Sequence, residues 1–193
     1  TPVEPISLGG PPTGVREVRP CDWEGHGPGL CIYPSGGGAP TKILEDTELE
    51  VWHGHASWSP DGGQIAFAAI EPGERPGEDT NIYIVNADGS GLTELPSVCN
   101  DVHPAWSPDG EWLAFHSDGN LAIMRPDGSD PAMVWYSEGH QCILNPQWSP
   151  DSQAIVVSIL HDVPESSWPM TGEIWVITDE GDTIIPVATV THE

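Results

Sequence analysis

The chain has 193 residues, enough for one domain or for a set of modules that closes into one. Thirty acidic residues against five Lys and Arg give a formal net charge of −25, which argues against nucleic acid and anionic membrane surfaces and invites cations, cationic partners or a salty medium. No stretch approaches the length of apolar chain a transmembrane helix needs, so membrane insertion is not expected.

In chain order, the opening is rich in Pro and Gly. Val3–Ser7 reads as an inner strand without the Trp seen later, followed by Leu8-Gly9-Gly10 in place of Pro-Asp-Gly, with Val15–Pro20, Gly29–Tyr33 and Thr41–Leu44 as three further strands. The alternative is that Thr1–Gly14 is a linker from an upstream segment. The start at Thr1-Pro2, with no initiator Met or signal peptide, suggests a processed or excised chain.

The next three stretches are clearer. Ser-Pro-Asp-Gly occurs at Ser59–Gly62 and Ser107–Gly110, and Ser-Pro-Asp-Ser at Ser149–Ser152, each directly after a Trp: Trp58, Trp106 and Trp148. A second turn follows each time, at Asn86–Gly91, Arg125–Asp130 and Thr178–Thr183. Pro60, Pro108 and Pro150 preset φ at a turn position. Asp61, Asp109 and Asp151 accept backbone N–H bonds there, and Gly62 and Gly110 supply positive φ. Apolar, partly alternating runs such as Gln64–Ala68 and Glu111–Phe115 suit strands packed between sheets. No window has sustained helical periodicity. Repeats of this length with four short strands each predict an all-β propeller of four blade units, approximately 1–50 (degenerate), 51–98, 99–141 and 142–193. Trp58, Trp106 and Trp148 are expected to fill the gaps between blades.

His-Ala-Ser-Trp-Ser-Pro-Asp-Gly, the apolar strand after it and the Asn-Ile-Tyr…Asp-Gly-Ser-Gly that follows resemble the TolB-type, WD-repeat-like propeller repeat, across nearly the whole chain. The resemblance specifies fold and leaves function open. Such blades serve in periplasmic scaffolds, sensor ectodomains, peptidase gating domains and some sugar lyases. The ends match as if one unit followed another. A closed four-bladed ring, part of a larger propeller and a ring completed between chains all remain open.

Four cysteines allow three pairings, of which Cys21–Cys31 and Cys99–Cys142 join matched positions. Two disulfides would place the protein in an extracellular or periplasmic compartment; the alternative is free thiols as small core residues.

The histidines fall on or beside the face carrying the second loops and linkers. His55, His103 and Asn145 share one register, three residues before each Trp, with Glu4 as the first unit's counterpart. Inner strands line the channel, so these four form a candidate ring for a divalent cation such as Zn or Mn, which suit imidazole plus carboxylate. Ca is the other metal to consider, through the oxygens of the Asp-Gly turns, but Asp61, Asp88, Asp109 and Asp127 read better as turn formers. The strand position of the ring residues is commonly polar in such repeats, so they read first as polar residues that bond neighbouring backbone where each strand begins. Lacking a nucleophile elbow, the chain is expected not to be an enzyme. The expected role is a protein-interaction or structural module, itself a candidate partner through head-to-tail assembly. A metal-dependent, lyase-like enzyme and a ligand-sensing ectodomain are the alternatives.

Overall fold

The computed structural model describes residues 16–21, 26–34, 37–44, 49–71, 80–96, 100–137, 142–160, 171–178 and 184–191. The described strands are β1 (Arg16–Pro20), β2 (His26–Pro28), β3 (Leu30–Pro34), β4 (Thr41–Lys42), β5 (Glu50–Trp58), β6 (Gln64–Ile70), β7 (Asn81–Asn86) and β8 (Thr93–Glu94). They continue with β9 (Asp101–Trp106), β10 (Leu113–Ser117), β11 (Asn120–Met124), β12 (Ala132–Trp135), β13 (Cys142–Trp148), β14 (Ala154–Leu160), β15 (Thr171–Thr178) and β16 (Ile184–Thr191). They form four antiparallel sheets, ordered β1-β3-β4, β2-β5-β6-β7-β8, β12-β11-β10-β9 and β13-β14-β15-β16. We number these sheets one to four in chain order.

Alternation along the second strands decides how the sheets stack. In β6, Ile65, Phe67 and Ala69 pack back against Leu30, Ile32 and Ile43 of the first sheet's segment, while Ala66 joins the interface with the third sheet. In β10, Leu113 and Phe115 point back to Ile82 and Ile84, and Ala114 faces Ile155 and Val157 ahead. Large side chains on one face and alanine on the other let successive sheets nest closely. Trp58, Trp106 and Trp148 are half-buried and each packs on the interface behind it. Trp148 Nε1 also donates to Ala105 O at 3.0 Å.

Each Ser-Pro-Asp turn is a closed hydrogen-bond box. Ser59 Oγ donates to Asp61 Oδ1 at 2.6 Å and accepts the Gln64 N–H at 2.8 Å, while the Gly63 N–H reaches Asp61 Oδ1 at 2.9 Å. Ser107 with Asp109, and Ser149 with Asp151, repeat the same hydroxyl–carboxylate bond at 2.6 Å. The Asp-Gly-Ser turns use a related device, with Ser90 and Ser129 donating to Asp88 and Asp127. These bonds, above all those from the serine hydroxyls, hold the carboxyls of Asp61, Asp88, Asp127 and Asp151 below their ordinary pKa.

The second turns also fasten sheets together. A Cβ at Gly89 would overlap Ile43 O, and one at Gly128 would overlap the Pro96 ring. Each turn therefore sits directly on the end of the preceding sheet.

His26–Pro28 forms an added strand that pairs with Glu50–Trp52 on the free edge of β5. Of the three arrangements the sequence leaves open, the closed four-bladed ring does not form among the described residues. The apolar clusters join sheets one to two, two to three and three to four, and none joins four to one. The inner strand expected at Val3–Ser7 lies outside the described residues.

Gly89→Ala should cost about 3 kcal/mol or more, from left-handed strain plus the clash with Ile43 O. Gly37→Ala, at φ 73° with open space around it, should cost only about 1 kcal/mol. Urea denaturation of both variants checks the difference, and equal costs would remove the turn-on-sheet contact from this account.

Candidate functional site

The inner strands β5, β9 and β13 carry the candidate ring, and each is interrupted there. Pairing between β9 and β10 skips between Val102 and Ala105, and pairing between β13 and β14 skips between Leu144 and Gln147. β5 shows a similar shift between Val51 and Ala56. His103 and Asn145 sit in these bulges with φ of 57° and 50°, although neither is Gly and each precedes a proline. A residue before proline is ordinarily extended, so this conformation is imposed by the surrounding strands.

His103 is half-buried and Asn145 exposed. Glu4 and the His55 side chain lie outside the described residues, so the ring is seen only at two of its four members. Among the described residues, no group of three or more His, Cys, Asp and Glu is arranged to hold a metal ion.

The structure adds a neighbour that the shared register did not single out. The His103 ring meets the His116 ring edge-on, with centroids 6.3 Å apart. His116 is the penultimate residue of β10, which a two-residue Asp118-Gly119 turn, with φ of 47° and 89°, joins to β11 from Ser117 to Asn120. The turn aims the Gly119 N–H at His116 Nε2 at 2.9 Å, so the imidazole is neutral with its proton on Nδ1. His116 is 7 % exposed. Burial pushes its pKa below the ordinary value, and the Asp118 carboxylate opposes this without reversing it. The arrangement can accept a proton only by breaking the Gly119 bond. The sequence did carry a signal: both histidines fall at the linker end of adjacent strands.

On the opposite face, Arg125 lies 3.9 Å from the centre of the Trp112 ring and pairs with Glu111 at 2.9 Å. Cys21 and Cys31 form a disulfide with Cα atoms 5.0 Å apart, closing the end of the β1–β3 pair. Cys99 and the Cys142 side chain lie outside the described residues.

Stacked antiparallel sheets of three to five strands, inner strands side by side and turn boxes on one face define a β-propeller chain. Its repeats are of the TolB type. The TolB homologue of Chlorobium luteolum is 36 % identical over 142 residues, covering 72 % of this chain and 28 % of that protein. Dipeptidyl-peptidase 5 of Porphyromonas gingivalis is 32 % identical over 158 residues, covering 69 % and 22 %. The chain thus spans less than a third of either relative. Among solved structures, a protein of Agrobacterium tumefaciens described as TolB superposes with a TM-score of 0.68 at 21 % identity, over 84 % of this chain and 57 % of that one. An oligogalacturonate lyase in complex with manganese superposes with a TM-score of 0.60 at 14 % identity, over 84 % and 48 %. No family model matches the chain. The expectation that the chain is not an enzyme is overturned, because its relatives include a peptidase and catalytic activity is compatible with this repeat.

His116 has a folded pKa below its unfolded value of about 6.5, so its contribution to stability is present above that pH and is lost as pH falls below it. Unfolding free energy measured from pH 7 to pH 5 should therefore fall less steeply in His116→Gln than in the parent. Equal slopes would contradict the neutral, buried assignment.

Proposed function

We propose that this chain is an extracytoplasmic interaction arc of a TolB-type propeller, built of four blade units bounded near residues 50, 98 and 141. Its terminal sheets take up neighbouring blades, and its linker face receives a protein partner. The observation that carries this reading is the uncovered side of the fourth sheet. Ile155, Val157, Ile159 and Ile177 pack back on the third sheet. The alternate residues Val156 and Val176 pair on the other side and remain partly exposed. An apolar side of a propeller sheet is ordinarily covered by the next blade. A further blade of the same protein or the first sheet of a second copy would supply that cover, and the latter gives head-to-tail assembly. The Cys21–Cys31 bridge and the TolB relative support an extracytoplasmic location.

At micromolar concentration the 193-residue chain should sediment as a dimer or larger species, and Val156→Glu should shift it to monomer without changing its circular dichroism. A parent that stays monomeric at every concentration would contradict assembly through this sheet.

The matched bulges at His103 and Asn145 favour a second reading, since imposed left-handed conformations cluster at functional sites. In it, the channel end of β9 and β13, completed by His55 and Glu4, binds a divalent cation (Zn, Mn or Ca) and supports a lyase-like reaction. Protein purified without chelator should then retain stoichiometric metal by mass spectrometry, and His103→Ala should lose it. Metal-free parent protein that takes up none of the three ions would count against this reading.

A further inference from the structure

The interface between the second and third sheets differs from the other two at one level. Near the linker end, the inner and second strands of three sheets pair as Val51 with Ala69, Asp101 with Ser117, and Ile143 with Ile159. The first and last pairs belong to apolar clusters. The middle pair is polar and equally deep, with Asp101 1 % and Ser117 0 % exposed.

Strand alternation puts Ser117 on the same side as Leu113 and Phe115, facing the second sheet. Thr80 approaches from that sheet, two residues before Ile82, which faces the same interface. It is 1 % exposed, and its carbonyl accepts the Asp101 N–H at 2.8 Å. Asn100 is held beside them, its carbonyl accepting the Asp118 N–H at 3.2 Å. Three buried oxygens in this neighbourhood, Thr80 Oγ1, Asn100 Oδ1 and Ser117 Oγ, make no hydrogen bond among the described residues. Buried polar atoms are ordinarily satisfied, so three together point to an additional occupant. The fold itself does not demand polar groups here, because the neighbouring repeats place aliphatic pairs at the same level.

We propose that Thr80, Asn100, Asp101 and Ser117 hold a hard metal cation of the calcium class between the second and third sheets. Two hydroxyls, an amide carbonyl and a carboxylate are all oxygen donors, the set that Ca²⁺ prefers and that suits Zn²⁺ poorly. A single carboxylate places the affinity at the weak end, about 10⁻⁴–10⁻³ M, the range of extracellular modules. The ion would join the start of β7, the start of β9 and the end of β10 across two sheets. The site shares no residue with the His103 and Asn145 ring, and it stands whether or not the chain assembles.

The test is thermal unfolding of the whole chain in millimolar CaCl₂ against EDTA, at constant ionic strength set with NaCl. Calcium should raise Tm by about 3–6 °C. Asp101→Asn and Ser117→Ala should each remove most of that shift, while Asp109→Asn, on the turn face, should retain it. The double variant Asp101→Ile with Ser117→Ile copies the fourth sheet's pair, and it should fold and be indifferent to calcium. No calcium-specific shift in the parent would overturn the proposal in favour of buried water. So would a shift that survives in the double variant, which would assign the ions to the acidic surface.

Discussion

Everything in this chain depends on strands that must be covered on both sides. β6, β10 and β14 each carry large aliphatic or aromatic side chains toward the sheet behind, and β6 and β10 turn alanine toward the sheet ahead. Such a strand cannot remain soluble as half of a two-layer sandwich, because its second face has no polar alternation to offer water. Stacking is therefore the only stable arrangement. The tryptophans and the glycine turns serve it by closing the interface edge and by docking each sheet on the one before. The same requirement makes the two outermost sheets the unfinished part of the chain, since among the described residues neither has a neighbour on its outer side.

The polar residues divide by face in a way that follows from this stacking. On the turn face, serine and backbone donors surround each aspartate, so these charges are stabilised locally and stay in water. On the linker face, polarity enters the interior. Asp101 and Ser117 lie where other repeats of the chain pair aliphatic residues or alanine. A repeat protein provides its own control in this respect. Positions that are apolar in one blade and polar and buried in the next are not required to build the blade.

Much of the architecture was legible because it is local. Ser-Pro-Asp-Gly fixes a turn through bonds within six residues. The strand after it alternates visibly, and the Trp before it marks the register. What was not legible depends on distant contacts. His26-Gly27-Pro28 contains two strand breakers and gains its strand conformation only from the free edge of β5. Ring closure involves the first and last sheets, and no short pattern encodes it. The left-handed conformations of His103 and Asn145 run against the local preference of a residue before proline, so only the paired strands could reveal them. The Asp101–Ser117 pair stood in the sequence as a break in the repeat, but its surroundings required knowing that the Asp101 N–H bonds the Thr80 carbonyl across two sheets. The catalytic question was misjudged for a related reason: a single fold carries binding proteins and enzymes alike, and the absence of one nucleophile pattern excludes only one chemistry.

The central claim is that the outer sides of the first and fourth sheets are open surfaces for further blades. The most direct measurement is the distance between two spin labels introduced through unnatural amino acids, one at Glu17 in β1 and one at Ser158 in β14, in doubly labelled chain diluted with unlabelled chain. Glu17 alternates with the inward Val18, and Ser158 with the inward Val157 and Ile159, so both report on the outer sides. The account predicts an intramolecular distance well beyond about 20 Å, about twice the spacing of packed sheets. A single short distance near about 10 Å, with both labels immobilised, would mean that the first and fourth sheets close a four-bladed ring, and would contradict it.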